Sequence, residues 1–189
     1  MPDWYYDGTE TVGSIPNASV VDWILVQFRD APNAGAALPG TAIATVPAFV
    51  MNTGEVIALD GGTLNVAAGY SSNLYAVIWN RNHLGIMSAN PLVESGGVFS
   101  YDFSTGSGQA YGGTFAQKDL GGGVWGMYAG DGDGSGGING TDESSVWEAW
   151  AGETWGYSPA DFNFDTQINN IDKDDYWYPN HGAGSQIPE

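Results

Sequence analysis

Apolar runs rich in β-branched and aromatic residues, broken by glycine and asparagine, fill the first two thirds of the chain. The longest is Val20-Val21-Asp22-Trp23-Ile24-Leu25-Val26-Gln27-Phe28, a strand signal. Asp30 followed by Ala31-Pro32-Asn33 ends it, because proline breaks the pairing pattern and Asp and Asn favour turns. Shorter runs follow at 42–50, 55–59, 63–67, 74–79, 84–88, 98–103 and 124–128. Between them lie turn formers such as Asn52-Thr53-Gly54, Asp60-Gly61-Gly62 and Gly96-Gly97, residues that accept φ > 0. About eight strands, 8–12 residues apart, predict a mainly β protein built as an antiparallel β-sandwich. No helical period is visible before Gly130. Beyond it, 143–155 places Val146, Trp147, Trp150 and Ala151 on one helical face, and Glu143 near the start suits the helix dipole.

Charge sharpens the division. Ten acids and three bases precede residue 131, and twelve acids and one base follow, a net of −7 against −11. The resulting organisation is an N-terminal arm over 1–19, a sandwich over 20–130, and a small acidic loop-and-helix module with a C-terminal tail over 131–189. The whole chain of 189 residues carries −18, with 22 acidic residues against 4 basic ones. So few bases cannot neutralise a phosphate backbone or an anionic bilayer, so nucleic acid and acidic membranes are excluded as partners and cations are favoured. A 42% hydrophobic and 13% aromatic content is too high for a disordered acidic tail. The absence of cysteine removes disulfides and thiolate metal sites, and the two histidines, His83 and His181, leave little for zinc or triad chemistry. No apolar run reaches the roughly 18 residues of a membrane span, and the opening residues lack the basic-then-apolar order of a signal peptide.

Two acidic loops carry the chemistry. The first runs from Asp131 to Asp142, with side-chain oxygens at its positions 1, 3, 5, 9 and 12, glycine at 6 and Ile138 at 8. Calcium takes six to eight oxygen ligands, and this alternation turns oxygens toward one point while position 7 offers a backbone carbonyl. The second loop, Asp161 to Asp172, begins 30 residues later and repeats the oxygen positions, with Ile168 in place of Ile138. A matched pair flanking an amphipathic helix predicts two calcium ions, one per loop.

Both loops close on Asp, where a sensor EF-hand carries Glu, and each precedes a helix. In this the segment 131–180 resembles a dockerin-type duplicated calcium module. That likeness implies ligands Asp131, Asp133, Ser135, Gly137 through its carbonyl, Asn139 and Asp142 in the first loop. In the second it implies Asp161, Asn163, Asp165, Gln167 through its carbonyl, Asn169 and Asp172. Ser135 and Thr166 depart from the pattern, the first in charge and the second by standing where glycine makes the sharp turn. Upstream, 21–30, 79–87 and 116–123 resemble a bacterial haemagglutinin-like or adhesin-like cell-surface module of the kind that precedes dockerin-like repeats.

The resemblance implies a secreted, surface-associated, non-catalytic protein, and no nucleophile–base spacing in the sequence argues for an enzyme. The expected role is a calcium-stabilised structural protein that self-assembles into a homo-oligomer or polymer. The arm is expected to take part through Trp4, Tyr5, Tyr6, Val12 and Ile15. The alternative is a module that binds a cohesin-like receptor or a glycan. Arg29 and Arg81 are each expected to pair with an acid, and Arg81 and Asn82, beside Asn80 and His83, to fix a loop by hydrogen bonds rather than to bind a sugar or a carboxylate.

Overall fold

In the computed structural model, which describes residues 9–154 and 157–189, the chain is mainly β and its sheets are antiparallel. The aromatic residues Trp4, Tyr5 and Tyr6 of the arm, and Trp155 at the end of the expected helix, lie outside the described residues. Strands β1 (Val20–Ala31), β2 (Ala42–Met51), β3 (Val56–Ile57), β4 (Asn73–Trp79) and β5 (Ile86–Met87) form one five-stranded sheet in the order β3-β2-β1-β4-β5. β1 is the central strand: Val26 faces Val46 on one side and Ile78 on the other. This is why its middle reads as an unbroken apolar run rather than an alternation, since both faces are covered.

The two faces have different cores. Ile24 and Val26 pack with Ala48, Val46, Val50, Leu64 and Ile78 on one. Leu25 and Ala31 pack with Tyr75, Val77, Trp79, Met87, Ala37 and Ile187 on the other. Ile187 thus brings the far end of the chain onto the first strand. Arg29, fully buried on that same face, donates from Nε to Gln27 Oε1 at 2.8 Å and from Nη1 to the carbonyls of Ala37 and Pro188 at 2.7 and 2.9 Å.

The remaining short runs do not build a second sheet of comparable size among the described residues. They form two ribbons, β6 (Val93–Ser95) with β7 (Val98–Ser100) and β8 (Lys118–Asp119) with β9 (Trp125–Gly126). Each ribbon turns at glycines with positive φ, Gly96-Gly97 and Gly121-Gly122-Gly123, so the chain reverses after two or three residues. The run 63–67 contributes a single bridge, Thr63 to Ile57.

Past Gly130 come two helices. α1 begins as a π-wound stretch Asp142–Trp147 and finishes in an α-turn Glu148–Trp150; α2 is a π-wound stretch Asp172–Trp177 followed by a 3-10 turn Tyr178–Asn180. α1 is shorter than the 143–155 periodicity predicts. Ala151 leaves the helix at ψ 126°, and Gly152 takes φ 92° and donates its N–H to the Ile168 carbonyl at 2.8 Å. Val146 is buried, with Trp147 and Trp150 half-buried against Ala160 and Ile168. Packing is continuous across residue 130: Leu84 and Ala129 share a core with Ile138, Phe162 and Trp177.

Candidate metal centre

The two acidic loops fold onto the same hydrogen-bonded scaffold. In loop 1, the Asp142 carboxylate accepts the N–H groups of Asp133 (3.1 Å) and Asn139 (2.8 Å), and Asp131 accepts Gly136 N–H at 3.1 Å. In loop 2, Asp172 accepts Asn163 (3.3 Å) and Asn169 (2.9 Å), and Asp161 accepts Thr166 at 3.1 Å. Asn139 Oδ1 accepts Thr141 N–H at 2.8 Å and Asn169 Oδ1 accepts Ile171 N–H at 2.7 Å, each initiating its helix. Every partner in the second loop stands 30 positions after its counterpart. The buried isoleucines at position 8, Ile138 and Ile168, are each 1% exposed and anchor their loops in the core.

In loop 1, the carboxylates of Asp131, Asp133 and Asp142 converge, with one oxygen from each lying within 4.8 Å of the others. The Gly137 carbonyl of the same loop accepts Asn139 Nδ2 at 2.8 Å and Ser135 Oγ at 3.4 Å. This triad can hold a metal ion, and a hard oxygen donor set of this kind fits calcium. Burial is the first cause that raises the Asp131 pKa, to about 6, and the neighbouring Asp142 and Asp133 charges add to it. Asp142 is also raised, by burial first and then by Asp133.

In loop 2 position 3 is the amide Asn163, which donates to Asp165 Oδ2 at 3.1 Å, and the triad of loop 1 has no counterpart among the described residues. Burial raises the pKa of Asp161, with Asp172 and Asp165 adding to it, and burial likewise raises Asp172. Gln167 is exposed, and its N–H donates to Asp165 Oδ1 at 2.8 Å.

Positions 4 and 6 are left-handed in both loops. Loop 1 meets this with Gly134 (φ 67°) and Gly136 (φ 83°), but loop 2 forces Phe164 (φ 64°) and Thr166 (φ 69°) into the same region. A β-branched residue is strained there. Thr166→Gly is therefore expected to stabilise the metal-free protein by about 1 kcal/mol, after the entropy cost of glycine, as read by urea denaturation. Phe164 has compensation, stacking on His83 at 4.9 Å and lying 5.1 Å from the Arg81 guanidinium.

The sheet end that carries Asn80 to His83 holds the loops in place. Fully buried Asn82 accepts Asp131 N–H on its carbonyl at 3.1 Å and donates its side-chain amide to the Asp161 carbonyl at 2.6 Å. One residue thus grips position 1 of both loops. Arg81 Nε lies 3.2 Å from buried Asp22 Oδ2, and its guanidinium sits 4.7 Å from the Tyr157 ring. The pairing of Arg81 with an acid is as expected, and the loop-fixing role of Asn82 extends across 79 residues rather than staying local.

His83 Nδ1 is 2.8 Å from Asn82 Oδ1, which places the proton of the neutral ring on Nδ1. Burial, then the Arg81 charge, lowers the His83 pKa to about 3. Unfolded histidine takes its proton near 6.5, so the unfolded chain binds more protons below that pH. The His83 contribution to stability is accordingly expected to fall by up to about 1.4 kcal/mol per pH unit as pH drops from 6.5 toward 3, against the opposite contribution of the buried loop aspartates. His83→Phe, which keeps the stack, should remove that contribution, seen as the difference between wild type and variant in a pH series of denaturant titrations.

Sequence reasoning placed Trp147 on the helical face but gave neither it nor Trp177 a role in the loops. Trp147 Nε1 donates to the Asn169 carbonyl at 2.9 Å, and Trp177 Nε1 to the Asn139 carbonyl at 3.1 Å. The available signal was the 30-residue repeat itself, which pairs these two tryptophans as it pairs the loop aspartates. No family model, curated protein or solved structure matches the chain.

Proposed function

We propose that this chain is an extracellular, calcium-binding structural protein, with two ions completing its fold and copies of it assembling into a surface polymer. The observation that carries the reading is the duplicated loop scaffold, in which loop positions 1, 3, 6, 9, 11 and 12 repeat the same hydrogen-bond partners. Asp131, Asp133, Ser135, Gly137, Asn139 and Asp142 would hold one ion. Asp161, Asn163, Asp165, Gln167, Asn169 and Asp172 would hold the other. The bound ions supply positive charge to carboxylates that burial and mutual repulsion otherwise penalise. The likeness of 131–180 to dockerin-type repeats supports the same reading.

Calorimetric titration of chelator-treated protein with calcium is expected to show two sites, and the Asp131→Ala, Asp161→Ala double variant is expected to show none. Unaltered binding by that variant would remove the assignment.

Assembly is favoured by the β6–β7 ribbon, where Val93 and Val98 are more than 60% exposed and Glu94 is the one charge in either strand. Both outer edges of such a ribbon can accept a further strand. Two calcium ions would reduce the repulsion between copies from −18 to −14 per chain. Sedimentation of the full chain in calcium is expected to show large species, reduced when residues 1–19 are removed. A monomer at high concentration would favour the second reading, recognition of a receptor or glycan. One observation supports the glycan form: an open groove of about 410 Å³ lined by Tyr101, Asp102, Asn90, Gln109 and Val93, with no basic residue.

A further inference from the structure

We infer that Trp147 and Trp177 are positioning residues that couple the two loops, so that filling one with calcium strengthens binding at the other. The inference rests on the two-ion reading above.

The bonds cross. Trp147 lies on α1, which starts at Asp142, the last residue of loop 1, yet its indole N–H donates to loop 2 at Asn169. Trp177 lies on α2, which starts at Asp172, the last residue of loop 2, and donates to loop 1 at Asn139. The backbone repeats the exchange. Ile168 of loop 2 donates to the Glu153 carbonyl and accepts Gly152 N–H beyond α1, at 3.0 and 2.8 Å. Ile138 of loop 1 donates to the Ala183 carbonyl and accepts Gly182 N–H beyond α2, at 2.9 and 2.8 Å. Lys173 on α2 sets its ammonium 4.6 Å from the Trp147 ring.

Positions 8 and 9 of each loop are therefore held by the helix that the other loop begins. An ion that draws in Asp142 fixes the first turn of α1. That turn carries Trp147, and Trp147 fixes the Asn169 peptide. The mirror route runs from Asp172 through Trp177 to Asn139. Two cations bound to independent loops would repel, giving a second step no tighter than the first. The crossed bonds reverse that order, and couplings of this kind commonly amount to about 5–150-fold.

The test uses the full chain and calcium alone. In calorimetry, the second ion is expected to bind the wild type about tenfold more tightly than the first. Trp147→Phe and Trp177→Phe keep a ring and remove the donor. With loop 1 disabled by Asp131→Asn, Trp147→Phe should weaken the remaining site severalfold, while Trp177→Phe leaves it within about twofold. With loop 2 disabled by Asp161→Asn, the two tryptophans should exchange roles. Hydrogen exchange gives a readout without tryptophan variants: in Asp131→Asn, calcium should slow exchange at the Ile138 amide, across the interface from the filled loop. Independent sites, or tryptophan effects confined to the loop preceding each helix, would overturn the coupling. Failure of the wild type to bind calcium at all would overturn the two-ion reading, and the coupling with it.

Discussion

Calcium at a hundredfold excess over its dissociation constant is expected to stabilise the chain by about 2.7 kcal/mol for each loop it fills, or about 5 kcal/mol for two. In a domain of this size that corresponds to a rise in melting temperature of roughly 10–20 °C. The reason lies in the state without the ion. Asp131 and Asp142 sit buried beside each other and beside Asp133, and burial raises the pKa of Asp131 to about 6. The sign with pH follows. In the folded, metal-free chain, Asp131 binds its proton more tightly than in the unfolded chain. That contribution to stability is full below the unfolded value near 3.8 and is lost as pH rises through about 6. Calcium binding needs the ionised form, so protons and the ion compete. The gap between calcium and chelator should be widest above pH 7 and should narrow as pH falls toward 5. Thermal melts in matched calcium and chelator buffers would show it. Equal melting temperatures at neutral pH would argue that no ion is bound.

Removing Asp172 is expected to cost about 3–5 kcal/mol even in chelator. Its carboxylate is fully buried and accepts three backbone N–H groups, from Phe162 at 2.9 Å, Asn163 at 3.3 Å and Asn169 at 2.9 Å. Asp172→Ala strands all three donors away from water. Asp172→Asn keeps one carbonyl acceptor and relieves the repulsion that Asp161 and Asp165 feel from this charge, so its loss in chelator should stay below about 2 kcal/mol. In calcium the order changes in size, because both variants lose a ligand and fall further behind the wild type. Chemical denaturation of the three proteins in both buffers separates the scaffold role from the ligand role. If alanine proved as stable as the wild type in chelator, the carboxylate would not be organising the loop.

The loops were readable because each ligand position follows from a local rule. Asp, Asn and Ser oxygens alternate with a buried aliphatic, and that pattern survives folding as Ile138 and Ile168 in the core and the carboxylates turned inward. The central strand was readable for a similar reason: an unbroken apolar run of that length can be satisfied only where both faces are covered. What stayed hidden was set by distant partners. Nothing near Asn82 in the sequence shows that it grips residues 131 and 161. The amphipathic period after Glu143 continues past Trp150, yet the helix ends there because Gly152 is bonded to Ile168 in the other loop. The later short runs had strand composition but lacked neighbours long enough to extend them, so they became ribbons of two or three residues. The composition suggests an acidic partner for Arg29, but no local rule shows that it lies fully buried and bonds the carbonyls of residues 37 and 188.

That last bond bears on how the chain reaches its native state. A guanidinium beneath the central strand gains one of its carbonyl acceptors only when residue 188 has left the ribosome, 159 positions after Arg29 itself. Until then the strand that organises the sheet encloses the guanidinium with one carbonyl acceptor fewer, which costs stability. Closing so long a loop is also slow. The last residues of the chain should thus dock on the sheet late in folding, closing the face that Arg29 and Ile187 share.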